Sequence, residues 1–374
     1  MRPEEFSILA QIRLTPGADR TTHGAIMTRR PNLPAFVFVF AAALLLAAPS
    51  ALAQKVKVLV PAGNLNDLQS LTERHSNLDL VPFSTSQDLL AKVADADAIV
   101  GFGANNPAPQ IVAAGKKLKW IQTHSAGVET TLAEQAVRDS QVLLTNAKII
   151  MGPEIADHAL ALLLNHTRDL KFHNEQMTKV GFQRGNRLPQ IELRGKTVLI
   201  IGLGGIGTQV AERCFAFGMR VLAVDPKDIP FMRAVEEVRK PDELHKLLPQ
   251  ADVVISCTPL TPESKRVLGS SEFGLMKDGV YIINVSRGEV LDTEALTAAL
   301  KSGKVRAAGL DVTDPEPLPG NHPLWSMPNV TITPHNATNS DHLQERRLQL
   351  YRENIERFLT GRPLRNVVDK QRRY

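Results

Sequence analysis

The chain has 374 residues with 44 basic and 39 acidic side chains, a formal net charge of +5, and only two cysteines, Cys214 and Cys257. That length supports two domains with proper cores, while a charge so nearly balanced supplies no strong field of the kind a nucleic-acid binder needs. Two cysteines exclude a disulfide framework.

Positions 1–26 carry no apolar period and are left out of the fold, and Met27 offers a second start. "RRPNLPAFVFVFAAALLLAAPSALAQ" follows: two arginines, an apolar run over positions 35–48, then small residues at Ala51 and Ala53. This is the layout of an export signal, with cleavage expected after Ala53. The run is shorter than the roughly 20 residues that span a bilayer, so no stable membrane insertion is expected after processing. Arg29 and Arg30 raise the twin-arginine route, which exports proteins already folded, and the expected location is the periplasm. Removing positions 1–53 takes away five arginines and three acidic side chains, which leaves the remainder at a net charge of +3.

After Gln54, short β-rich runs alternate with helical patterns. "KVKVLVP", "ADAIVGF", "LKWIQTHS" and "QVLLTN" read as buried strands separated by amphipathic stretches such as "SQDLLAKVADA", which predicts an α/β fold with parallel sheets. "GPEIADHALALLLNHTRDLKFHNEQM" reads as one long helix, apolar nearly all round in its first half. A second α/β unit begins with "GKTVLIIGLGGIGTQVAERCFAFGMRVLAVDPK". Here Gly202 allows a tight turn, Gly204 lets backbone N–H groups approach a pyrophosphate, and Gly207 lets helix and strand pack closely. Gly205 and Ile206 lie in the same turn. Asp225, at the end of the next strand after Gly207, is placed to accept hydrogen bonds from ribose hydroxyls, and its charge would repel a 2′-phosphate. Strand, turn, helix, strand and acid in this order predict dinucleotide binding, with NAD favoured over NADP. Further strands end in "SCTPLTPES", "NVSRGEVLD", "LDVTDPEPLP" and "ITPHNAT", and each delivers a polar group at its carboxyl end, where open α/β sheets bind ligands. Basic residues crowd positions 346–373, but acidic ones interrupt them. A solvated helix face is expected there, not a nucleic-acid site.

The ordered set "LRGKTVLIIGLGGIG", "NVSRGEVLDTEALTAAL", "AGLDVTDPEPLP", "HPLW" and "NVTITPHNA" resembles the D-isomer-specific 2-hydroxyacid dehydrogenases, from about Lys55 to about Val368. The resemblance implies two doubly wound parallel-sheet domains: a central Rossmann NAD-binding domain, residues 151–334, inserted in a split flavodoxin-like substrate domain, residues 54–150 and 335–368. It also implies a homodimer, a small 2-oxo or 2-hydroxy acid as substrate, and no metal.

Carried onto this chain, the arginine of the S-R-G motif is Arg287, the glutamate before proline is Glu316, and the histidine of T-P-H is His335. A carbonyl gaining hydride builds negative charge on oxygen and needs a proton donor, which an imidazolium at His335 supplies. Glu316 beside it would favour the charged ring and fix its orientation. Arg287 offers a planar fork to a substrate carboxylate. Taken singly, each has a plainer reading as a salt bridge, a solvated loop residue or a loop cap. Their joint placement after successive strands of one fold favours chemistry. By the same resemblance the backbone around Ala126 and Gly127 meets the substrate carboxylate, with His124 a bystander. Thr258, Pro259, Val285 and Ser286 line the cofactor path, and Asp311 lies near the nicotinamide amide. Cys257 is expected to pack against cofactor. Glu129 stands where many relatives have Asp, and the segment after the long helix lacks a tryptophan, departures that blur the substrate. With no regulatory domain after "GRPLRNVVDK", a glyoxylate- or hydroxypyruvate-like reductase is expected over a regulated phosphoglycerate enzyme. The alternative is an exported, non-catalytic NAD-binding scaffold similar to the family's corepressor members.

Overall fold

The computed structural model describes residues 55–374 other than Gln183, so the expected export signal lies outside the described residues. Two sheets, every strand parallel to its neighbours, organise the chain. The first contains β1 (Val56–Pro61), β2 (Leu78–Phe83), β3 (Ala98–Phe102), β4 (Trp120–Thr123) and β5 (Leu143–Thr145), in the order β2-β1-β3-β4-β5. That is the flavodoxin-like order. The second contains β6 (Thr197–Ile201), β7 (Arg220–Val224), β8 (Glu237–Arg239), β9 (Val253–Ser256), β10 (Val280–Asn284), β11 (Val305–Leu310) and β12 (Val330–Ile332). Its order, β12-β11-β10-β9-β6-β7-β8, is the Rossmann arrangement with one further strand at the edge.

Continuous apolar runs form these strands because both faces of each sheet are covered. Along β6, Val198 and Ile200 join one core while Leu199 and Ile201 join the other; β1 divides Val58 and Val60 from Leu59 in the same way. The helix Gly205–Ala216 buries Gly207, Val210, Ala211 and Cys214, a helical spacing that turns one stripe onto the sheet. The last helix, Leu343–Leu359, returns to the first sheet, where Leu348, Tyr351 and Ile355 pack with Val58, Val100 and Trp120. Buried polar groups fix that docking. Trp120 Nε1 donates to Thr145 Oγ1 at 2.8 Å, Thr145 donates to Gln122 Oε1 at 2.7 Å, and Asn354 Nδ2 donates to the same oxygen at 2.8 Å. Beyond the helix the chain bridges β5 in antiparallel sense, with Val368 N donating to Leu144 O.

The long helix expected from Gly152 is in fact two, Gly152–Thr167 and Leu170–Lys179. Asp169 breaks it with a φ of +54°, and its buried carboxylate accepts the backbone N–H groups of Arg187 and Leu188. A short polar side chain tolerates the left-handed region at such a break. The first segment packs on the Gly205–Ala216 helix so tightly that a Cβ on Gly152 would come within 2.7 Å of the Gly205 carbonyl oxygen. Among the described residues no helix is long and apolar enough to cross a membrane. The basic residues of positions 346–373 are largely engaged internally: Arg357 and Arg365 share Glu353, Arg352 donates to Asp67 O, and Arg346 meets Glu154.

Candidate active site

The glycine turn lies where the strand order of the second sheet reverses, between β6 and β9. Gly202 has a φ of +91°, and a Cβ there would lie 2.9 Å from the backbone of Thr258 across the reversal. Only glycine satisfies both demands. A Cβ on Gly207 would collide with the Gly202 carbonyl, whereas one on Gly204 would meet nothing within 4 Å. The turn is therefore closed toward the sheet and open above. Gly204 caps the helix with no side-chain acceptor and no acid lies in the first turn, so Gly205 and Ile206 begin a helix whose N–H groups suit a pyrophosphate.

Asp225 follows β7 and is 7% exposed. Its Oδ2 accepts from Leu203 N and its Oδ1 from Lys227 N, each at 2.8 Å. The acid thus braces the glycine turn, and each oxygen keeps a lone pair for a ribose hydroxyl. Thr258 and Pro259 continue from β9, and Val285 and Ser286 from β10, with Ser286 Oγ 2.8 Å from Ser256 Oγ. These residues fit a bound dinucleotide. Burial pushes the Cys257 thiol up, and that of Cys214 up to about 12, so neither is a thiolate at neutral pH.

Arg287, Glu316 and His335 come from the ends of β10, β11 and β12, three neighbouring strands. His335 Nδ1 lies 2.7 Å from Glu316 Oε1. An ionised carboxylate only accepts, so the Nδ1 proton is directed at Glu316 and Nε2 faces away from it. Arg287 is held by its own turn, its Nη1 donating to Ser286 O at 2.7 Å. Gly288 lets that turn lie on the loop carrying Glu316: a Cβ there would collide with the Thr313 carbonyl and reach within 2.6 Å of the Asp314 nitrogen. Across the cleft, Arg287 rests on Gly127, where a Cβ would collide with the guanidinium. The Ala126–Gly127 turn is braced by Asn146 Nδ2, which donates to Ala126 O at 2.7 Å, and by Ser125 Oγ, which donates to Gly127 O at 2.9 Å. His124 stands beside it with its ring against Phe102 O, and burial pushes its pKa down.

Four features of the site escaped sequence reasoning. Asn284 is fully buried, and its amide shapes the arginine turn by donating to Arg287 O and accepting from Ser286 N. Its signal was an Asn ending the apolar run "VYIIN". Asp311, expected beside the nicotinamide, spends most of its hydrogen bonding on the histidine turn: it accepts from Thr333 Oγ1 at 2.6 Å and from the backbone of Asn336 and Ala337 at 3.1 Å. His335 itself has a φ of +51°, its N–H bonded to Asp311 O. Finally, Glu129 forms an ion pair with Arg287, 3.3 Å from its Nε. A cavity of about 710 Å³ is bordered by His158, Asn165, Lys171, Trp325 and Thr333, the last of which donates to Asp311.

Residues 160–337 match the family model for the NAD binding domain of D-isomer specific 2-hydroxyacid dehydrogenases. A glyoxylate reductase of Korarchaeum cryptofilum is 32% identical over 81% of this chain and 92% of its own length. This chain belongs to the D-isomer specific 2-hydroxyacid dehydrogenase family. A D-3-phosphoglycerate dehydrogenase of Methanocaldococcus jannaschii is 32% identical over 84% of the chain, which spans only 59% of that protein. Among solved structures, a family protein from Aeromonas salmonicida superposes with a TM-score of 0.72 at 31% identity, covering 85% of this chain and 99% of the other.

Proposed function

We propose that the protein is an NAD-dependent oxidoreductase that interconverts a small 2-oxo acid, glyoxylate- or hydroxypyruvate-like, and its D-2-hydroxy acid. The observation that carries this reading is the 2.7 Å His335–Glu316 pair on the strand ends that also present Arg287. Gly202, Gly204, Gly205, Ile206, Gly207 and Asp225 would hold the nucleotide, with residues 151–334 forming its domain. Bound NADH supplies the hydride. Arg287 grips the substrate carboxylate against the Ala126–Gly127 turn and so fixes which face of C2 is presented. His335, its Nδ1 proton committed to Glu316, delivers the Nε2 proton to the oxygen formed at C2 and recovers it in the reverse direction. Glu316 stabilises the imidazolium that alternates with the neutral ring. The buried charge of Asp225 at the ribose position supports NADH over NADPH, since a 2′-phosphate would face a carboxylate already desolvated.

A homodimer is part of this reading. Leu170 and Met177 on the Leu170–Lys179 helix and Trp325 before β12 are 51%, 65% and 49% exposed, and they offer a second copy apolar side chains to cover. So is export through the signal at 27–53, with processing after Ala53; N-terminal sequencing of the mature protein tests it. Purified protein assayed with NADH or NADPH and a panel of 2-oxo acids tests the activity. NADH oxidation with at least one small member supports it. NADH binding without turnover of any member overturns it in favour of a nucleotide-binding scaffold.

A further inference from the structure

The edge strand β12 has a short ladder, in which Val330, Thr331 and Ile332 pair with Ala308, Gly309 and Leu310 of β11. Side chains of the helices Gly152–Thr167 and Leu170–Lys179 hold it further. Lys171 Nζ donates to Val330 O at 2.6 Å, Asn165 Nδ2 donates to Thr331 Oγ1 at 2.8 Å, and His158 Nε2 lies 2.8 Å from Thr333 Oγ1. The last hold leads into the site. Thr333 stands two residues before His335, and its hydroxyl lies 2.6 Å from Asp311 Oδ1. Asp311 is 2% exposed; it also accepts the N–H groups of Asn336 and Ala337, while its carbonyl receives that of His335 at 2.8 Å.

The proton count fixes what His158 does there. A hydroxyl has one proton, and a carboxylate 2.6 Å away only accepts, so the Thr333 proton is directed at Asp311. Thr333 then meets His158 with a lone pair, and Nε2 must be the donor. The same Nε2 is 3.5 Å from Asp311 Oδ1, so one N–H steadies both the hydroxyl and the buried carboxylate. We propose that His158 is a positioning residue for His335: by donating to Thr333 it fixes the Asp311 carboxylate, and with it the turn that aims the His335 ring. This rests on the function proposed above and deepens it. The φ of +51° at His335 is one that an L side chain keeps only where its surroundings impose it. Here they are the bonds from its N–H to Asp311 O and Thr333 O. Without the His158 donor, the Thr333 hydroxyl is free to rotate and the carboxylate that organises the turn loses a restraint. His158 acts through Thr333 and Asp311 and takes no proton from the substrate.

The test measures kcat, KM for glyoxylate and NADH affinity by fluorescence in the wild type, His158→Leu, His158→Gln and Thr333→Val. Leucine offers no donor, whereas glutamine carries an N–H about where Nε2 lies. Misplacing a catalytic group by about 1 Å costs roughly a hundredfold, so the partial loosening in His158→Leu should lower kcat about tenfold. Its KM and NADH affinity should stay within about twofold, and His158→Gln should keep kcat within about threefold of wild type. Thr333→Val should lower kcat as His158→Leu does, and combining the two should cost little more, because both break one chain of bonds. A kcat within about twofold of wild type in His158→Leu, equal losses in the Leu and Gln variants, or additive losses in the double variant overturn the positioning role and leave the proposed function standing. If His158→Leu binds no NADH, Thr333→Val and His158→Gln decide alone: a low kcat in the first with a near-normal one in the second supports the role, and any other result overturns it. No reduction of any 2-oxo acid by the wild type overturns both.

Discussion

His166 makes the protein's acid stability predictable. It sits in the Gly152–Thr167 helix, 2% exposed, with Nε2 3.0 Å from Ala308 O of β11. A carbonyl only accepts, so the neutral ring donates, and burial pushes its pKa down from 6.5 to about 4. Below pH 6.5 the unfolded chain binds a proton at this residue while the folded protein does not, so stability is lost as pH falls through the window from 6.5 to about 4. The gap is about 2.5 pH units at about 1.36 kcal/mol each, or about 3 kcal/mol at the lower end. His166→Gln keeps an N–H for Ala308 O and does not titrate. Urea unfolding at pH 7 and pH 4.5 should show the wild type losing about 2.5 kcal/mol more than the variant across that interval. Parallel losses in the two proteins would refute the argument, because every other titrating group is common to both.

Glu316→Gln removes the charged acceptor of the His335 ring. A hydrogen bond to a charged group contributes about 1.5–3 kcal/mol, reduced here to about 1–2 because both side chains are near 40% exposed, so kcat/KM should fall about 5- to 30-fold. NADH affinity should hold, and an unchanged kcat/KM would contradict the assigned role. Gly207→Ala forces the strand and helix of the nucleotide turn apart, which should cost about 1–3 kcal/mol of stability and weaken NADH binding at least tenfold by fluorescence titration. Arg346→Met strips the cation from Glu154, whose carboxylate is 7% exposed and has Oε1 without a partner. The variant should lose about 3 kcal/mol by chemical denaturation, and adding Glu154→Gln should recover most of it; additive losses would deny the coupling.

The parts of the fold that obey a single rule were legible in the sequence. β6, the glycine turn and Asp225 follow one another as a strand buried on both faces, a turn that excludes Cβ atoms and an acid at the next strand's end, and all three were placed within a residue or two. β2 was missed because "LDLVPF" mixes Asp and Pro into its apolar run, which an edge strand tolerates. The break at Asp169 was missed because the apolar period continues through it, and what sets it is a contact with residues 187 and 188. The same limit applies within the site. Arg287, Glu316 and His335 were found from the strands they terminate. The partners of Asp311 and the reach of Glu129 to Arg287 span 22 to 158 positions of chain, and no local pattern reports them.

The contact of Gly288 with the backbone of Thr313 divides the labour of the site. Arginine, glutamate and histidine are borne beyond the ends of adjoining strands of one sheet, and main-chain contact ties the arginine and glutamate loops together. The Ala126–Gly127 turn, which would meet the substrate carboxylate under the proposed function, follows a strand of the other sheet. Under the proposed function, editing the single loop after Thr123 would change which acids are accepted without disturbing the three strand ends.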